Sequence, residues 1–209
     1  MFPPFPTSYA HNVCASLVIY LNSGMIRLER VSAPSAERDG HGVMLGALVC
    51  TCRECTLEKD AGLVILCAVS GNSLIMADKD GVRLPFGKEI VINGLNMIFV
   101  PPVAAPEKIA AALAPNDRRI HELTAELKTA SDSEKRRISA ERSELTTASL
   151  KAVHSLYSFT TITGRKIELT QISSQKLPPT GTGDCCAPKL LDYAFSHNLA
   201  PLSMDEVYY

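Results

Sequence analysis

The chain has 209 residues, 46% of them hydrophobic, so it can bury a real core as one domain or two small ones. Twenty-one basic residues stand against 22 acidic ones, a formal net charge of −1, which excludes a general electrostatic grip on nucleic acid. The absence of Trp and an aromatic content of 6% leave little material for base-stacking platforms, so any RNA contact is local or comes from another domain.

Seven cysteines, an odd number without the regular spread of a disulfide framework, suit a reduced, cytoplasmic setting. The prolines of the opening Met1–Pro6 hold it extended. Ala10–Leu21 suits a helix with Val13, Leu17, Val18 and Leu21 on one side. Its apolar run Val13–Leu21 is preceded by no Lys or Arg and is too short to span a bilayer; no membrane contact is expected. Ser32–Gly42 reads as a loop. From Val43 to Val103 the pattern turns to strands: Val43–Cys50, Gly62–Val69, Ile75–Ala77, Glu89–Ile92 and Asn96–Val100, punctuated by Asp-Gly and Asn-Gly turns. Their spacing suggests a β-meander.

Pro101, Pro102 and Pro106 close this lobe, and a highly charged segment without glycine follows over residues 107–156. Ile120, Leu123, Leu127 and Ala130 keep the spacing of a coiled-coil seam, which falters at Ser131–Ser133, before Glu134. That cluster is a helix N-cap signal, so two antiparallel helices are expected, the second placing Ile138, Leu145, Ala152 and Leu156 inward; one unbroken helix is the alternative. Tyr157–Thr163 and Lys166–Ile172 alternate around Gly164-Arg165 as a hairpin. A Gly-rich turn, a helix stopping near Asn198 and a strand Leu202–Tyr209 complete a ββαβ order. The expected fold is α+β: a β-rich lobe over 1–105, a charged helical hairpin over 106–156, and a ββαβ unit over 157–209 that is incomplete at its C-terminus.

Three clusters carry candidate chemistry. In Thr180-Gly-Thr-Gly-Asp-Cys-Cys-Ala-Pro-Lys189 the backbone N–H groups around Thr182 and Gly183, with Lys189 nearby, suit an anion or an RNA phosphate; the bland alternative is a tight turn with Asp184 as helix cap. Cys52-x-x-Cys55, with Cys67 and His41 not far off, has zinc-knuckle spacing, against a redox pair or ordinary turn thiols. Arg118, Arg119 and Lys135–Arg137 offer phosphate contacts, although charges of opposite sign at i, i+4 more often mark a solvated surface or a partner seam.

From Leu177 to Tyr209 the chain resembles part of the long N-terminal extension of a subgroup of RluA-like RNA pseudouridine synthases. The resemblance is looser over Leu63–Ser70, Phe99–Val103 and the charged middle. It implies that a catalytic synthase domain, an isomerase, follows in the gene and that this chain positions RNA or a partner for it. The Arg-Leu-Asp core of that family, whose Asp is catalytic, occurs nowhere in the 209 residues, so no catalytic residue is assigned. The same segment is similar, more faintly, to the first metal helix of zinc-dependent nucleoside deaminases, with Cys186 as the ligand and Pro188 where that family has its catalytic Glu. The expectations are therefore an RNA-modification accessory region without a cofactor, a zinc-binding deaminase-like fragment, or an assembly module that dimerises or docks a protein through residues 117–156.

Overall fold

In a computed structural model, which describes residues 5–30, 42–52, 62–72, 74–172 and 177–209, the chain is α+β and divides into two units. One comprises residues 1–103, 159–166 and 183–209; the other comprises 104–158 and 167–182.

The first unit opens with helix α1 (Ser8–Asn22) and strand β1 (Ile26–Arg30). The apolar run Met44–Cys52 forms β2, followed by β3 (Val64–Val69), β4 (Leu74–Asp78), β5 (Glu89–Ile92) and β6 (Leu95–Phe99). Between β5 and β6, Asn93 and Gly94 both take positive φ, 51° and 80°, as a tight hairpin turn requires. The strands do not form the expected meander. β4 pairs with β1 in a sheet of two, and β6 lies parallel to β3.

Helix α5 (Cys186–Ser196) and strand β9 (Leu199–Tyr208) also belong to this unit. β9 runs antiparallel to β2, giving a sheet of order β5-β6-β3-β2-β9. The separate 157–209 unit is thereby corrected: its helix and last strand complete the N-terminal sheet. Its hairpin, β7 (Ser158–Thr160) with β8 (Lys166–Glu168), is a sheet of its own, so the deaminase-like order does not share one sheet. Pro201, on the edge strand β9, lies opposite Cys50 where the β2–β9 register shifts, a position at which a missing N–H is tolerated.

Both faces of the sheet are covered. Leu45, Ala47 and Val49 of β2 face Val13, Cys14, Leu17 and Leu21 of α1, while Leu48 and Cys50 face Cys186, Leu190 and Ala194 of α5. Burial on two sides explains why β2 reads as a continuous apolar run.

The second unit is built on α2 (Pro106–Glu126) and α3 (Asp132–His154), broken at Ser131 as expected. The Ser131 N–H donates to Glu134 Oε2 at 2.9 Å and its hydroxyl bonds the same carboxylate, a capping box that holds the Glu134 carboxyl below its usual range. Leu123 and Ile138 are buried in the seam, whereas Leu145, Ala152 and Leu156 are only half-buried. Asn116 Nδ2 donates to Ser149 Oγ at 3.1 Å, and Arg119 Nε to Glu141 Oε1 at 2.9 Å, fixing the helices antiparallel. The expected second strand of the hairpin is shortened, Leu169–Ile172 forming the helical turn α4.

Helix α5 comes closest to β2 at Gly46, where an added Cβ would lie 2.3 Å from Cys186 Cβ. Replacing Gly46 by Ala forces α5 off β2 and is expected to cost about 3 kcal/mol, at the upper end of overpacking penalties. Chemical unfolding followed by circular dichroism measures this; an unchanged midpoint would refute the contact.

Candidate functional site

Helix α5 carries both the expected anion cluster and a cleft that the sequence did not reveal. Its N-cap is Cys185, not Asp184. The Asp184 carbonyl accepts the Gly71 N–H at 2.8 Å, and its carboxylate accepts Asn72 Nδ2 at 2.5 Å, so this residue clasps the loop after β3 instead.

Part of the donor set expected at the helix start is committed. Ala187 N–H donates to Glu206 Oε1 of β9 at 2.6 Å, and Pro188 has no N–H to offer. Lys189 is 3% exposed, its ammonium donating to the carbonyls of Val69 at 2.9 Å and Gly71 at 2.5 Å. Burial lowers the pKa of this lysine, with Asp184 pulling weakly the other way. Gly183 is buried, and the Thr182 hydroxyl donates to the Pro179 carbonyl at 2.7 Å. The anion-site expectation for Lys189 is therefore corrected: its charge is spent on backbone carbonyls that would otherwise be buried unpaired.

The metal candidates fare likewise. Cys186 is fully buried, its thiol facing the carbonyls of Met44 at 3.2 Å and Ala68 at 3.5 Å. Burial pushes that thiol up to about 12, with Glu206 adding to the rise. Cys186 is enclosed by the sheet and belongs to no group of three or more His, Cys, Asp or Glu side chains that could hold a metal among the described residues, so the residues described do not fit a deaminase zinc. Cys52 is half-buried at the end of β2, while Cys55 and His41 lie outside the described residues. Among the described residues no group of three or more His, Cys, Asp or Glu side chains is placed to hold a metal.

On the other side of α5 a cleft of about 380 Å³ opens within the first unit. Pro101, Pro102, Lys189, Asp192, Tyr193 and His197 are among the residues that line it. The rings of Tyr193 and His197 stack at 3.9 Å between centroids and 17° between planes, an i, i+4 pair on a helix. Tyr193 Oη donates to the Gly87 carbonyl at 3.4 Å, and its burial raises the phenol pKa. His197 Nδ1 lies 2.8 Å from the Tyr193 carbonyl and 3.1 Å from Ser196 Oγ; the tautomer with its proton on Nδ1 bonds the carbonyl and leaves Nε2 as an acceptor. Asp192 Oδ1 accepts the Thr160 N–H at 2.6 Å, leaving its second oxygen available. Asn198 at φ 55° ends the helix here, as the sequence indicates.

Of the basic residues singled out in the hairpin, four form ion pairs within their own unit and Arg136 forms none among the described residues. Arg118 meets Glu122 at 3.0 Å, Arg119 meets Glu126 and Glu141 at 2.9 Å each, Lys135 meets Asp132 at 3.2 Å and Arg137 meets Glu141 at 3.9 Å. The arginine partners hold the Glu122 carboxyl below its ordinary range. An outer groove of α3 is lined by small and polar residues, among them Ala140, Thr147 and Lys151. No protein-family model, curated protein or solved structure matches the chain. Among the described residues no helix is long and apolar enough to cross a membrane.

Two outcomes follow from the buried polar groups. Lys189→Met keeps the aliphatic stem but strands two carbonyls, and should lower stability by about 1–3 kcal/mol in denaturant titrations; a variant as stable as the parent would show that the bonds contribute nothing. Burial also raises the thiols of Cys14, Cys50 and Cys186 to about 12 and that of Cys67 further, from an ordinary value of 9.0. The native thiols keep protons that the unfolded chain releases, so stability falls between pH 9.0 and about 12. The slope approaches about 1.4 kcal/mol per thiol per pH unit. Lys189 offsets one such slope, because its charged-state cost is relieved as pH rises toward 10.5. Urea midpoints under reducing conditions across this range should drop, and drop less in Cys67→Ala.

Proposed function

We propose that the chain is a non-catalytic accessory region of an RluA-like RNA pseudouridine synthase, acting in the cytoplasm to position RNA or a partner for the catalytic domain. The observation that carries this reading is that the reactive groups of the best motif, Cys186 and Lys189, are consumed by the scaffold. The segment that resembles the synthase extension is thus built as architecture, in keeping with a sequence that has no Arg-Leu-Asp core. A second reading, assembly through residues 117–156 with another copy or a protein partner, is favoured by the ion pairs of Arg118, Arg119, Lys135 and Arg137, which neutralise the charges a phosphate backbone would need.

Tritium release from labelled uridine in ribosomal or transfer RNA should stay at background with the purified chain. Added to an RluA-like catalytic domain from the same genome, the chain should lower the KM for RNA about fivefold with kcat unchanged, as added binding energy does. Release by the chain alone would overturn the reading. A stable dimer in sedimentation, with no effect on KM, would favour assembly.

A further inference from the structure

We propose that the cleft beside α5 binds a single-stranded nucleobase that carries an exocyclic amine: adenine, cytosine or guanine. The proposal deepens the RNA-positioning reading and rests on it for the source of the base. Three features of the cleft select this ligand class. Its lining combines the stacked rings of Tyr193 and His197 with Pro101 and Pro102, surfaces on which a planar ring can rest. Its volume, about 380 Å³, admits a purine with part of its ribose.

Its polar groups on offer are acceptors: the second oxygen of Asp192 and Nε2 of His197, beside the C-terminal half of α5 where the helix dipole is negative. The donors are already committed, Tyr193 Oη to Gly87, Ser196 Oγ to Tyr193 and the Lys189 ammonium to Val69 and Gly71. The Asp192 carboxylate repels a phosphate and accepts from an amino group. Uracil, which presents O4 where cytosine has N4–H₂, sets an acceptor against an acceptor. The site thus reads a base edge and leaves the backbone to other contacts.

The full chain is titrated separately with AMP, CMP, UMP, inorganic phosphate and arginine amide, following the imidazole resonances of His197 and the ring resonances of Tyr193. AMP and CMP should shift both saturably, with UMP weaker by about fivefold, the usual worth of a single net hydrogen bond. Phosphate should leave them in place. Asp192→Asn keeps an oxygen for the Thr160 N–H and turns an amine toward the cleft, so it should reverse the order in favour of UMP. His197→Ala should weaken all nucleotides while leaving the unfolding midpoint unchanged. Nucleotides that leave both residues unmoved, equal binding of all bases unaltered by Asp192→Asn, or saturation by arginine amide alone would overturn the base site. The last would assign the cleft to an arginine of a protein partner. Those outcomes leave the KM effect on the synthase untouched, so the two proposals fail separately.

Discussion

The structure depends on how closely α5 can approach β2. Gly46 has no side chain, so Cys186 settles directly on the strand, and the helix repeat then fixes everything after it. Leu190 and Ala194 follow Cys186 onto the sheet, and Lys189 reaches the carbonyls at the end of β3. The remaining face carries Asp192, Tyr193, Ser196 and His197 outward to the cleft wall. One absent methyl group therefore sets both the interior face of this helix and its exposed one.

The same contact explains why Cys186 and Lys189 are withdrawn from solvent. A helix start with two cysteines, an acid and a lysine has the composition of an active site, but seating it against a sheet desolvates every one of those groups it buries. The thiol turns toward carbonyls, and the lysine bonds the backbone of Val69 and Gly71. Glu206 accepts the Ala187 N–H. Polar residues here hold the loop after β3 to the helix. They specify one arrangement of loop, helix and edge strand, at the cost of burying a cation.

What was legible in the sequence was local. The break at Ser131, the Asn93-Gly94 turn and the stop at Asn198 depend on backbone preferences of neighbouring residues, and all three are where the composition places them. Strand β1 is also written locally, in the alternation of Ile26 and Leu28 with Arg27 and Glu29, but its pairing with the distant β4 is not. The pairing of β9 with β2 was not legible at all: it joins Leu48 to Met204 across most of the chain, and no periodicity encodes a partner at that distance. For the same reason Lys189 read as a surface cation. Its burial is decided by where β3 ends, which the residues around Lys189 do not state. The Tyr193–His197 spacing could have been noticed, since four residues on a helix bring two rings together.

Charge distribution bears on how such a molecule would hold RNA. Nonspecific affinity comes from cations that displace counterions, and falls steeply with salt. In the hairpin, Arg119 is shared among Glu122, Glu126 and Glu141, so its charge is balanced before any phosphate arrives. In the first unit, the cleft offers a carboxylate and an imidazole acceptor, and the best-placed lysine is buried. Neither arrangement gathers a phosphate backbone. Discrimination at a base edge survives this, because stacking and a carboxylate–amine hydrogen bond need no net positive field. In the role proposed above, a chain with a net charge of −1 would add selectivity to a catalytic domain that supplies the phosphate contacts, and its own contribution would vary little with ionic strength.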